Sequence, residues 1–235
     1  MKKILGILGG MGPEAAIDFQ QKIFALTKAD KDCDHIRVIL DNNTQIPRRV
    51  AVILGLGGEN PVPAMQNSVN NLICCGALCI AMPCITAHYF LPRLNIPSHA
   101  LFLDMPRIAA GACLKHHPGK TIGILSTSGT AKSGIVSSVL EDMGASCITP
   151  LYNYQLILDK IIHNIKGRCD IGEILRQLIP IADEMANRGA GCFLLGCTEL
   201  PLIVKSHNFP YPFVDSTAEL AKASITACGY DLSEQ

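Results

Sequence analysis

Two short stretches hold the residue types best suited to chemistry. In MPCITAHYF, residues 82–90, Cys84 is followed within four positions by Thr86 and His88; in LLGCTELP, residues 194–201, Cys197 is followed directly by Thr198 and Glu199. A free cysteine is most often a small buried hydrophobe. These two instead close apolar runs and precede polar neighbours, where a strand hands over to a loop or helix and backbone N–H groups favour a thiolate. GALCIAMPC from Gly76 and GAGCFLLGC from Gly189 align at 189 − 76 = 113, which pairs Cys79 with Cys192 and Cys84 with Cys197. Two equivalent thiols suit a reaction that takes a proton from one face of a carbon and returns one to the other.

Other stretches offer places for a ligand. GGMGPE, residues 9–14, reads either as a tight turn or as a loop whose N–H groups cradle a carboxylate. It lacks the lysine and hydroxyl of a phosphate loop, and neither glycine opens a G-x-G-x-x-G pattern. STSGTAKSG, residues 126–134, presents hydroxyls at Ser126, Thr127, Ser128 and Thr130, which suit a small polar ligand. DNNTQIPRRV, residues 41–50, carries Arg48 and Arg49, either a solvated loop or a planar fork for a carboxylate. Lys166, in HNIKGR, reads as a helix end stopped by Gly167. Cys74, Cys75, Cys79, Cys84 and His88 match neither zinc nor iron–sulfur spacing, so no metal is expected, and the other histidines show no ligand pattern.

The elements that must position these residues follow from periodicity. Short apolar runs at 3–8, 36–41, 77–82, 98–102, 121–125, 146–149, 192–195 and 212–214 alternate with amphipathic stretches such as 14–28, 63–75, 134–143 and 171–188. That alternation predicts an α/β fold with parallel sheets and functional loops after the carboxyl ends of strands. The halves echo each other again: GILGGMGP and GILSTSGT are offset by 123 − 6 = 117, and NIP from Asn95 returns as NFP from Asn208 at 113. A duplicated α/β unit results, with one domain over 1–98 plus 209–235 and a second over 99–208. An approximate twofold relation would set Cys84 and Cys197 at strand ends on opposite sides of a cleft.

Composition narrows the class. The chain has 235 residues, 49% hydrophobic, with 20 basic side chains balancing 20 acidic ones, so no basic patch argues for nucleic acid. No run of about 18 apolar residues argues for a membrane span. Eleven cysteines, an odd number in a long core-rich chain, read as reduced thiols in a cytoplasmic protein. The opening MKKILGILGG imitates a secretion signal, but glycines and Pro13 interrupt it.

Taken in order, GILGGMGPEA, NNTQIPRR, NPVPA, MPCITAHYF, GILSTSGT, LGCTELP and FVDST resemble the aspartate/glutamate racemase family, especially its aspartate racemase branch, over nearly the whole chain. The resemblance implies two Rossmann-like α/β domains with the active site in the cleft between them, usually a homodimer, and cofactor-independent racemisation of a small acidic amino acid. Carried over by position, Cys84 and Cys197 match the acid/base thiols, and Arg49 and Lys166 match holders of the side-chain carboxylate. Thr86 and Thr198 match contacts to the amino-acid end, and Met11 lies in a loop lining the pocket.

The chain departs from that family where P-C-N-T becomes Pro83, Cys84, Ile85, Thr86. The asparagine amide would bind the substrate's α-carboxylate or amino group, and Ile85 offers nothing polar in its place. Arg48 also replaces the family's usual acidic residue before Arg49. Related chemistry on one or two cysteines (hydantoin racemisation, maleate isomerisation, decarboxylation of substituted malonates) is therefore an alternative expectation, as is a ligand-binding protein that keeps the site without turnover.

Overall fold

Each of the eight apolar runs carries a strand. The structure, a computed structural model, describes residues 2–166, 171–204 and 209–233, the side chains of 166 and 171–173 excepted. In chain order the elements are β1 (Ile4–Leu8), α1 (Pro13–Leu26), β2 (Val38–Asp41), α2 (Arg49–Leu54), α3 (Val62–Cys74), β3 (Ala77–Ala81), a 3-10 helix (Ile85–Arg93), β4 (Leu101–Phe102), α4 (Met105–His116), β5 (Thr121–Leu125), α5 (Ser128–Ser133), α6 (Ser137–Asp142), β6 (Cys147–Ile148), α7 (Tyr152–Lys166), α8 (Ile171–Asn187), β7 (Ala190–Leu195), α9 (Pro201–Val204), β8 (Phe213–Asp215) and α10 (Ser216–Ala227).

The strands form two four-stranded sheets, ordered β2-β1-β3-β4 and β6-β5-β7-β8. Every pairing is parallel. The duplication reaches into the register. Ile4 pairs with Ala77 but Leu5 with Cys79, and Thr121 pairs with Ala190 but Ile122 with Cys192. Each sheet therefore skips one residue, Leu78 or Gly191, and 191 − 78 = 113 repeats the sequence offset.

Close packing explains two of the repeated glycines. A Cβ on Gly6 would stand 2.9 Å from the Ala77 Cβ and 3.2 Å from the Leu72 Cβ. One on Gly123 would stand 2.8 Å from Phe193 and 3.1 Å from Met185. Helix α3 in one sheet and α8 in the other thus approach the central strand too closely for a side chain. Phe193, Leu195, Leu178, Ile181 and Met185 lie in the core around β7 and α8.

The chain divides into two compact units: Met1–Arg48, Gly58–Met105 and Thr217–Gln235 in the first, Arg49–Gly57 and Pro106–Ser216 in the second. The boundaries differ from those expected at 98/99 and 208/209. Residues 99–105 stay with the first unit because Leu101 and Phe102 pair with β3, and residues 209–216 go with the second because β8 pairs with β7. Arg49–Gly57, expected in the first unit, belongs to the second because α2 packs on α5, where the Lys132 ammonium donates to the Leu54 carbonyl at 3.4 Å. The C-terminal segment closes the first unit, with Lys3 N–H bonded to the Cys228 carbonyl and Lys28 N–H to Asp231. Among the described residues no helix is long and apolar enough to cross a membrane.

Two glycine substitutions should act in opposite directions. Gly123→Ala should lower the free energy of unfolding by roughly 1–3 kcal/mol through overpacking. Gly111→Ala, inside α4 with only Met143 at an ordinary 3.8 Å, should raise it by about 0.5–1 kcal/mol. Urea unfolding of both variants checks the pair.

Candidate functional site

In each sheet the strand order turns back between the two central strands, and parallel sheets present their ligand loops at that point beyond the carboxyl ends. In the first unit those ends lead into GGMGP after β1 and MPCIT after β3. The first loop turns through Gly10 at φ +89°, where any Cβ would lie 2.1 Å from the Asn43 carbonyl oxygen, so only glycine fits. Asn43 is held in turn by its amide donating to the Ser68 hydroxyl at 3.1 Å, and Asn42 donates to the Pro13 carbonyl at 3.4 Å. Met11 follows and is buried, and α1 then begins with Pro13, whose missing N–H costs nothing there.

Beyond β3, Cys84 adopts an extended backbone and caps the 3-10 helix. Its N–H donates to the Met82 carbonyl at 2.8 Å, and its own carbonyl accepts from Ala87 N–H at 3.1 Å. The first turn of the helix directs backbone donors toward its N-terminal end, which favours negative charge near the thiol. Cys84 is 7% exposed, and Ile85, Thr86 and His88 beside it are buried. In the sequence His88 is a polar neighbour of Cys84 and a rejected metal ligand. Its Nδ1 instead lies 2.9 Å from the Cys84 carbonyl oxygen, and burial lowers the pKa of the ring.

In the second unit β5 leads into Ser126 and Thr127. The Thr127 hydroxyl accepts from Thr130 N–H at 3.2 Å, so it serves as the N-cap of α5. Gln155 and Asp159 of α7 fix this loop, bonding the Ser126 carbonyl and Ser128 N–H, each at 2.9 Å. Beyond β7, the Cys197 thiol donates to Glu199 Oε2 at 2.9 Å, and the Thr198 hydroxyl donates to the same oxygen at 3.3 Å. All three side chains are buried. Glu199 is a functional candidate that the sequence named only as a neighbour; an acid two residues past a strand-end cysteine, in an apolar setting, was the available signal.

Arg49 is the first residue of α2 and half-buried, so it belongs to the same unit as Cys197, whereas Arg48 is exposed and ends a segment of the first unit. Lys166 ends α7, and its side chain lies outside the described residues. Cys79 and Cys192, the other repeated pair, are buried in their sheets. Burial pushes the Cys192 thiol up to about 11, so it is an uncharged packing group. Cys79 is paired to Cys228: the hydrogen bond between the thiols lowers the pKa of Cys79 and raises that of Cys228. Among the described residues no three histidine, cysteine or acidic side chains gather as a metal site would require.

A family model described as Asp/Glu/hydantoin racemase matches residues 8–224. The aspartate racemase of Picrophilus torridus has a TM-score of 0.87 to this structure at 34% identity, covering 98% of this chain and 96% of that one. An aspartate racemase homologue from Pyrococcus horikoshii OT3 shares the fold at a TM-score of 0.74 and 20% identity, over 97% and 99% of the two chains. The broad specificity amino-acid racemase RacX of Bacillus subtilis is 25% identical over 231 residues, 95% of this chain and 97% of its own length.

The Glu199 contact makes a separate prediction. The Cys197 S–H is held by donation to Glu199 Oε2, and an amide oxygen accepts more weakly than a carboxyl group, so Glu199→Gln should free the thiol and let iodoacetamide alkylate Cys197 roughly tenfold faster at neutral pH. Cys84 in the same protein is the internal reference, and peptide mass spectrometry reads both. Equal labelling of Cys197 in the two proteins would show that Glu199 does not govern its thiol.

Proposed function

Since the chain belongs to the Asp/Glu/hydantoin racemase family, we propose that it interconverts the L and D forms of aspartate, or a close acidic amino acid, with Cys84 and Cys197 as the acid/base pair. The observation that carries this reading is the equivalence of the two thiols. Each follows the third strand of a four-stranded sheet with the same order, and each is reached after the same skipped residue. Duplicated frames that end in the same reactive group fit a reaction whose two half-steps are mirror images at carbon.

In that reaction one cysteine, as thiolate, removes the α-proton and the other, as thiol, returns a proton to the opposite face. Reversing the direction exchanges the roles. A thiol has a reference pKa of about 8.5, far below that of an α-C–H, and each unit of mismatch is about 1.4 kcal/mol. The site must therefore hold the substrate carboxylate with N–H donors and cations, so that charge developing on it is stabilised. We assign the side-chain carboxylate to Arg49 and Lys166, and the amino-acid end to Thr86, Thr198 and the backbone after Cys84, with Met11 against the ligand. Thr127 enters this assignment as the residue that holds the start of α5, because its hydroxyl is engaged there. The scheme uses no cofactor, and the cysteines perform both proton transfers. The proposal extends to a homodimer, which the family resemblance implies, and to the cytoplasm, which an odd count of eleven cysteines in a long core-rich chain supports.

Ile85 favours a second reading. It is buried beside Cys84 with no polar atom to offer a substrate's amino group or carboxylate. Loss of such a partner in a desolvated site costs roughly 1–3 kcal/mol. A cyclic substrate such as a hydantoin, with neither a charged α-amino group nor a carboxylate at that carbon, lowers that cost.

The experiment is solvent exchange with reductant present. Each aspartate enantiomer, then glutamate and a monosubstituted hydantoin, is incubated in heavy water, and α-deuteration is followed by NMR alongside optical rotation. Deuteration with loss of rotation is expected for at least one acidic amino acid. Cys84→Ala and Cys197→Ala should each slow racemisation by roughly 10²- to 10⁴-fold. No exchange with any acidic amino acid would sink the first reading, and exchange confined to the hydantoin would establish the second.

A further inference from the structure

His88 is 3% exposed, and both of its ring nitrogens meet backbone groups of the first unit. Its tautomer follows from one of them. Met105 N–H can only donate, and it lies 3.2 Å from Nε2, so Nε2 carries the lone pair. The ring proton therefore sits on Nδ1, which donates to the Cys84 carbonyl at 2.9 Å. The Leu103 carbonyl, 3.4 Å from Nε2, faces the same nitrogen without a proton between them. The Phe102 ring packs edge-on at 6.1 Å between centroids, and Asp104 is the charged group acting on the imidazole.

Each contact does something the backbone needs. Met105 is the first residue of α4, and its N–H is one of the donors a helix start leaves without an intrahelical partner. The Cys84 carbonyl accepts from both Ala87 N–H and the imidazole, so both its lone pairs are directed. In a trans peptide the carbonyl and the following N–H point opposite ways. Holding the Cys84 carbonyl therefore fixes where Ile85 N–H points and how the Cys84 side chain leaves the backbone.

We propose that His88 is a positioning residue for Cys84: as the neutral Nδ1–H tautomer it locks the peptide plane between Cys84 and Ile85 and, through Nε2, seats the start of α4. Burial supports this, since it disfavours the charged ring and so keeps Nε2 an acceptor near neutral pH. Protonation would turn Nε2 into a donor, releasing Met105 N–H and engaging the Leu103 carbonyl. A folded-state pKa below the unfolded value of about 6.5 means that the unfolded chain takes the proton first. The contribution is then complete above that pH and is lost as the pH falls below it toward the depressed value.

The consequence for turnover rests on Cys84 being an acid/base thiol; the tautomer and the loop geometry do not. Three variants separate the two arms. Asparagine places its amide nitrogen near the Nδ1 position, glutamine reaches the Nε2 position, and leucine reaches neither. His88→Leu and His88→Gln should lower kcat for α-deuteration of aspartate roughly tenfold or more, with KM within about twofold. His88→Asn should recover most of kcat, and His88→Gln most of the thermal stability. Iodoacetamide labelling of Cys84 relative to Cys197 should change in His88→Leu and His88→Gln and return in His88→Asn. Long-range proton–nitrogen spectra of the unmodified protein should show Nδ1 protonated and Nε2 bare at pH 7. A ring protonated on Nε2 would overturn the proposal, as would His88→Gln matching the unmodified protein in Cys84 labelling. If the unmodified protein exchanges no α-proton the racemase reading fails, and the spectra and labelling still decide the role of His88.

Discussion

The register of the central strands is the constraint on which the candidate site depends. Side chains alternate along a strand, so moving the pairing by one residue turns every later side chain to the other face. In both sheets that movement occurs once, at Leu78 and at Gly191, near the start of the third strand. Everything beyond it inherits the new phase, including the buried runs Cys79–Ala81 and Cys192–Leu195 and the loops that follow them. Gly6 and Gly123 preserve the arrangement from the other side by letting a helix lie directly against the neighbouring strand. Cys84 and Cys197 are thus equivalent because two backbones make the same irregular turn, and the short sequence match is its surface trace.

On that repeated frame the immediate surroundings of the two thiols are unlike. Cys197 faces a buried carboxylate directly, through sulfur. Cys84 is engaged one step back, through its carbonyl, by a neutral imidazole. The first arrangement engages the thiol hydrogen itself, and the second the direction in which the sulfur is held. The proposed racemisation does not require its two thiols to be held by the same means, only that each be in the right state when its half-step comes.

The strands were legible because buried parallel strands are short apolar runs, and the repeat because it survives as matched motifs at a fixed offset. The domain limits were less so. Leu101, Phe102 and residues 213–215 make strands too short to announce which sheet they will join, and pairing alone assigns them. Arg49 was placed on a loop of the first unit because RVAVIL is only six residues, too few to declare a helix, and its allegiance comes from packing on α5. Thr127 read as a ligand hydroxyl, and what a sequence does not show is that the helix it precedes also engages the oxygen. Glu199 and His88 were visible as letters, but their roles are distances.

The route of the chain through the two units carries its own consequence for how the protein is made. The polypeptide passes from one unit to the other after Arg48, Gly57, Met105 and Ser216. The second unit takes a helix from the first 57 residues, while the first unit must wait for residues 217–235, which bond to Lys3 and Lys28 near its beginning. A chain emerging from the ribosome therefore holds neither unit as an uninterrupted stretch, and the first stays uncovered on one side until residues 217–231 have been made. Both sheets are nevertheless drawn from continuous stretches, β1–β4 within the first 102 residues and β5–β8 between 121 and 215, so what waits is the covering of the first unit by α10, whose long-separated contacts form more slowly than local ones.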